Sequence, residues 1–118
     1  MIRLLALDMD GTCLNGRSRM TEETIRTIRK AADAGIIIVP TSGRPLTCLP
    51  YQMTQEKGLY RYTITSNGAQ VVDLEEKKTL FRMLMKRERV VQFLRECEEL
   101  NVVRMTHIQH RYVMEGPL

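Results

Sequence analysis

Asp8 and Asp10 stand two residues apart at the end of an apolar run, followed at once by Gly11 and Thr12. Two close carboxylates repel, so a buried pair either shares a proton or neutralises its charge on a cation. On a continuing strand both would point to one face. Gly11 lets the chain turn sharply where it leaves the strand. An ordinary Asp-Gly turn is the competing reading, and only the rest of the chain decides between proton or metal chemistry and a plain turn.

The elements that position this pair can be read in order. Residues 2–7, broken only by Arg3, read as a strand buried on both faces in the middle of a parallel sheet. Ligands of open α/β sheets sit beyond the carboxyl ends of such strands. After a polar loop at residues 15–19, Thr21 is placed to cap a helix, with Glu22 and Glu23 in its first turn. Met20 and Ile25 are spaced as a hydrophobic staple, Ile25, Ile28 and Ala32 form an apolar stripe, and Gly35 is a terminator. Residues 36–39, all β-branched, make the second strand of a right-handed βαβ unit.

That strand runs into Pro40-Thr41-Ser42-Gly43-Arg44-Pro45, which parallel pairing sets beside Asp8 and Asp10. A second helix is predicted from about Leu46 towards Glu56, and a third strand at residues 62–65 that finishes in Ser66-Asn67-Gly68. Three successive strands thus carry polar groups at the same end, facing one crevice. Beyond it, residues 69–72 and 79–81 read as a hairpin, and residues 88–100 as an amphipathic helix whose basic front and acidic back oppose the helix dipole. Residues 102–105 and 112–114 are candidate strands of a second, smaller layer.

Composition narrows the class. The 118 residues are one domain's worth of chain, and 43% apolar with 27% charged residues fits a folded globular protein. The net charge of +4 gathers between Arg82 and Arg89, with Arg104 and Arg111 beyond, but no stacking aromatics interleave it. A solvated basic face is the reading, with no nucleic-acid partner expected; a basic interaction protein is the weaker alternative. The opening apolar run is too short for a signal peptide or a spanning helix, so no membrane association is expected. Three cysteines without a CxxC pair suggest free thiols in a reducing cytoplasm. His107 and His110, three apart on a strand, point to opposite faces and make poor metal ligands.

Asp8-Met-Asp10-Gly11-Thr12, Thr41-Ser42-Gly43-Arg44-Pro45 and Asn67-Gly68-Ala69, in that order on successive strand ends, resemble the haloacid dehalogenase superfamily. More closely, the chain resembles its Cof-type phosphatases with an inserted α/β cap. The resemblance implies an α/β fold: a Rossmann-like partial parallel sheet with flanking helices over residues 1–82, then the start of the cap over residues 83–118. It implies a magnesium-dependent phosphatase acting on small phosphorylated metabolites through an aspartyl phosphate. Asp8 would be the nucleophile, and Asp10 the acid that protonates the leaving alcohol and then the base that activates water. Magnesium would bind the Asp8 carboxylate and the Asp10 carbonyl. Ser42, with Thr41 as the neighbouring alternative, would hydrogen-bond the phosphoryl oxygens, while Gly11, Thr12, Gly43, Arg44, Asn67 and Gly68 would shape the substrate end. The physics of transfer agrees, because an anionic phosphoryl group resists a carboxylate until a dication neutralises both. Loop amides and a hydroxyl suit the charge spread over its equatorial oxygens.

The family's phosphate-steadying lysine and its later acidic Gly-Asp motif follow the cap, and neither is matched here. The resemblance therefore implies an amino-terminal half, weakly active or inactive alone, or else a binding module that keeps only the front of the pocket. The first strand, central in the family, would become a sheet edge needing a second copy or a partner to cover it.

Overall fold

The computed structural model describes residues 1–55, 58–108 and 111–116. Strand β1 (Leu4–Asp8) pairs in parallel with β2 (Ile37–Thr41), Leu4 opposite Ile37 and Asp8 opposite Thr41. Helix α1 (Glu22–Asp33) connects them. Its start is the expected one: the Thr24 N–H donates to Thr21 Oγ1 at 3.2 Å, relieving an orphan donor of the first turn. At its end Gly35 takes φ +83°, a left-handed conformation that costs glycine little. The N–H groups of Gly35 and Ile36 then fall back on the carbonyls of Ala32 and Ala31, a paired closure of the last turn.

Strand β3 (Tyr62–Thr65) joins β2 in parallel, but only Thr41 and Ile64 are ladder partners. Pro40 supplies the reason. The Ile37 N–H turns to the Arg3 carbonyl, so by alternation the N–H at position 40 would face β3, and proline has none. The Thr63 hydroxyl instead donates to the Pro40 carbonyl at 3.1 Å. Strands β4 (Gln70–Asp73) and β5 (Lys78–Arg82) follow antiparallel, giving a mixed five-stranded sheet in the order β1-β2-β3-β4-β5. Buried Asp73 builds the hairpin turn by accepting the N–H groups of Glu75 and Glu76, and it holds Arg61 at 2.9 Å.

Two expectations need correction. The continuous helix predicted from Leu46 is a single 3-10 turn at Leu46–Cys48 followed by α2 (Tyr51–Gln55), because Pro50 drives Leu49 into extended backbone at ψ 145°. Its predicted end at Glu56 lies outside the described residues. Strand β1, read as buried on both faces, leaves Leu4 53% and Leu5 36% exposed, since it lies at the edge of the sheet with β2 as its neighbour. The edge position is the one the resemblance implied. The core forms against the helical side, where Met9, Met20, Ile28, Ile38, Met53 and Tyr60 pack together.

Beyond β5, helix α3 (Arg87–Glu96) precedes an antiparallel pair, β6 (Arg104–Ile108) and β7 (Arg111–Glu115), which forms a separate two-stranded sheet. The helix stops short of the predicted Leu100, and Glu98 and Glu99 fall past its end, where a negative charge opposes the dipole. Arg104 Nη1 donates to the Leu94 carbonyl at 3.0 Å, tying β6 to α3. Among the described residues no helix is long and apolar enough to cross a membrane.

Candidate active site

The carboxyl ends of β1, β2 and β3 lie abreast, as parallel pairing requires, and the predicted residues cluster there. The strand does not continue past Asp8, so Asp8 and Asp10 do not share a strand face, contrary to the sequence reading. The chain makes a wide turn over Met9–Cys13, with Asp10 extended and Gly11 at φ +80°, closed by the Leu14 N–H on the Met9 carbonyl at 2.9 Å. This turn sends the two carboxylates to different partners. Asp8, exposed, accepts a hydrogen bond from the Thr12 hydroxyl at 2.8 Å.

Asp10 meets Arg44 instead. Arg44 Nε donates to Asp10 Oδ2 at 2.9 Å and Nη2 to Oδ1 at 2.6 Å, the fork-on-fork geometry in which guanidinium pairs best with carboxylate. These bonds, with a smaller contribution from the Ser42 hydroxyl, hold the Asp10 carboxyl below the usual carboxylate range against a partial desolvation. The same guanidinium reaches the Cys48 carbonyl and the Ser18 hydroxyl, each at 3.3 Å, so its position is fixed from several sides.

Ser42 is buried, its N–H bound to the Ile64 carbonyl and its Oγ accepting the Arg44 N–H at 3.1 Å. Thr41 stands beside Asp8 in register. The loop after β3 is stitched to the loop after β2: the Asn67 N–H donates to the Ser42 carbonyl and the Ser66 N–H to that of Arg44. Asn67 is left-handed at φ +54°, and Gly68 follows at φ +90°. Gly43 lets Asn67 approach closely: a Cβ there would come within 2.7 Å of Asn67 Oδ1 and push that amide aside.

An open cleft of about 500 Å³ lies over these loops. Asp10, Gly43, Arg44 and Asn67 line it from the sheet, beside Cys48; Met105, His107 and Tyr112 line it from the β6–β7 hairpin. Asp8, Gly11, Thr12, Thr41, Ser42 and Gly68 cluster at the same strand ends without lining that cleft. The sequence reading did not single out Met105, His107 or Tyr112 for this site. Part of a signal was present, since Met105 and His107 stand two apart on a candidate strand, but their pairing with Tyr112 comes only from the structure. His110 lies outside the described residues.

The oxygen donors at the end of β1 are hard ligands, suited to magnesium or calcium and not to softer metals. Among the described residues no three His, Cys, Asp or Glu side chains converge as a metal cage. A cation here would take few protein ligands and keep much of its water, a habit of magnesium.

Residues 5–117 match the haloacid dehalogenase-like hydrolase family. The chain belongs to that family. It is 38% identical over 84 residues to a 5-amino-6-(5-phospho-D-ribitylamino)uracil phosphatase of Bacillus subtilis, covering 67% of this chain and 33% of the relative. It is 36% identical over 75 residues to an HMP-PP phosphatase of Yersinia pestis, covering 64% and 27% respectively. A haloacid dehalogenase-like hydrolase from B. subtilis superposes with a TM-score of 0.77 at 26% identity, over 88% of this chain and 36% of that one. A sugar phosphatase of subclass IIB shares the fold with a TM-score of 0.84 at 24% identity, over 98% of this chain and 45% of its own. The family member described here thus spans a third or less of the length of those two curated relatives. Its α/β fold and its membership of the haloacid dehalogenase-like hydrolase family are those expected from the three motifs.

Proposed function

We propose that this chain carries the phosphate-handling end of a phosphomonoester hydrolase that acts on small phosphorylated metabolites through an aspartyl-phosphate intermediate. One observation carries the proposal: Asp8, the Asp10–Arg44 pair, Ser42 and Asn67 meet at the aligned ends of three strands. The phospho-ribitylamino group in the name of the B. subtilis phosphatase supports this substrate class. Residues 1–82 are assigned to the core and residues 83–118 to the beginning of a cap, with the boundary after β5.

In this mechanism Asp8 attacks phosphorus, and the bond to the leaving oxygen breaks as its electron pair departs with that oxygen. Asp10 delivers a proton to the alkoxide. Water then attacks the aspartyl phosphate while Asp10 takes a proton from it, which releases phosphate and restores the Asp8 carboxylate. The pairing with Arg44 keeps Asp10 ionised, the state needed for the second half. Proton delivery in the first half therefore requires that the guanidinium move off. The Ser42 hydroxyl and, next to it, Thr41 are the donors assigned to the phosphoryl oxygens, with Gly11, Thr12, Gly43, Arg44, Asn67 and Gly68 shaping the pocket. Magnesium, held by the Asp8 carboxylate and the Asp10 carbonyl, would supply charge neutralisation. The engagement of the Asp10 carboxylate with Arg44 fits a ligand role for its carbonyl. A reducing, cytoplasmic setting belongs to the same proposal, in keeping with the free thiols of Cys13, Cys48 and Cys97.

Hydrolysis of p-nitrophenyl phosphate by the chain with magnesium tests this reading. We expect turnover that Asp8→Asn lowers by at least about a hundredfold; a rate unmoved by that change overturns the assignment. A second reading is a module that binds phosphate without turning it over, in keeping with the hold of Arg44 on the Asp10 carboxylate. Saturable phosphate binding with no hydrolysis supports it.

A further inference from the structure

The hairpin wall of the cleft is made of side chains to which the phosphoryl chemistry gives no task. His107 and Tyr112 are direct partners across β6 and β7, and their rings meet edge to face with centroids 4.7 Å apart and planes at 78°. Both are half-buried, and Met105 adds an exposed thioether two positions along the same strand face. The pair is anchored to the phosphate side: His107 Nδ1 shares a hydrogen bond with Ser66 Oγ at 3.0 Å, in the turn that presents Asn67. Tyr112 and Arg44 line the same cleft from opposite sides.

An ester whose phosphoryl group sits at the strand ends must extend its remaining part through this cleft. The cleft, about 500 Å³, has the size of small-molecule sites. Ring faces and a polarisable sulfur favour a flat, polarisable group over a flexible polyol, because stacking recovers contact area that a hydrated chain of hydroxyls does not offer. We propose that Tyr112 and His107, with Met105 beside them, form a platform for a heteroaromatic ring, so that the substrate class is phosphate esters carrying such a ring, nucleotides among them. The inference rests on the phosphatase reading of the strand ends and adds the specificity wall to it.

Amide shifts of the full chain, followed by NMR with magnesium present, would be titrated with uridine 5′-monophosphate, ribose 5-phosphate and inorganic phosphate. We expect the uridine ester to bind about tenfold more tightly than ribose 5-phosphate. Tyr112→Leu should erase that margin while leaving inorganic phosphate binding unchanged, and Tyr112→Phe should keep it. His107→Gln, which retains a polar partner for Ser66 but loses the ring, should reduce it. Equal affinities for the two esters overturn the inference and leave the phosphate reading standing, as does a margin that survives Tyr112→Leu. A loss of inorganic phosphate binding in Tyr112→Leu marks a structural role and also overturns it. Absence of binding by all three ligands removes the phosphate reading and, with it, this one.

Discussion

Arg44 sets the protonation of Asp10, and the sign of that control can be tested. Its two parallel hydrogen bonds favour the carboxylate, so the folded-state pKa of Asp10 lies below the ordinary value. Removing them in Arg44→Gln should let the pKa rise towards the usual carboxylate range, as read by 13C-detected titration of the side chain; an unmoved titration would refute the coupling. Because a base must be deprotonated to act, the acid limb of any pH–rate profile governed by Asp10 should move to higher pH in that variant. The effect on stability is small, since both side chains are partly solvated and screened. Whatever the ion pair contributes is present above the ordinary carboxylate range and is lost as pH falls through the depressed value.

At the scale of elements, local chemistry accounts for where most segments begin and end. Thr21 caps α1 through the Thr24 N–H, and Thr21→Ala should cost about 1 kcal/mol, measured as a lowered urea midpoint with an unchanged m-value. The β4–β5 hairpin depends on buried Asp73, whose pKa is lowered first by the Glu76 N–H, then by Arg61. Since the folded value is depressed, its contribution is full near neutral pH and vanishes as pH drops through that value. Asp73→Asn should therefore lower the urea midpoint at about pH 7, with the gap to the parent narrowing as the pH falls below the ordinary carboxylate range. A gap that stays constant would show that charge is not the agent. Pro40 and Pro50 act in the opposite sense, thinning the β2–β3 ladder and splitting the second helix.

As a whole the molecule is extended, 52 × 30 × 25 Å, with a radius of gyration of 16.7 Å. A compact domain of this length would have about 13.5 Å. The difference arises because α3 and the β6–β7 pair form a separate layer that meets the five-stranded sheet at its end loops, and large apolar side chains stay in solvent. Leu4 and Ile37 are 53% and 48% exposed at the β1 end of the sheet, and Met83, Leu84 and Met85 exceed that along the connection to α3. An apolar edge strand with free backbone groups is a template for further pairing. We expect the isolated chain to self-associate through β1, so that light scattering gives a mass above 13.7 kDa, falling towards it in Leu4→Lys. A parent chain that is monomeric at high concentration sinks this prediction.

Much of this was legible from the sequence, because it depends on near neighbours. Apolar runs mark β1 and β2, Thr21 and Gly35 bound α1, and the parallel direction of successive strands puts Asp8, Ser42 and Asn67 at one end of the sheet. The tertiary structure alone decided which groups touch. The Asp10–Arg44 fork joins residues separated by 34 positions, and the His107–Ser66 bond spans 41. Such contacts follow from the turn at Met9–Cys13 and from the docking of a hairpin, neither of which has a sequence period. The exposure of β1 is of the same kind: its residues read as a buried strand, and burial depends on which strands stand beside it.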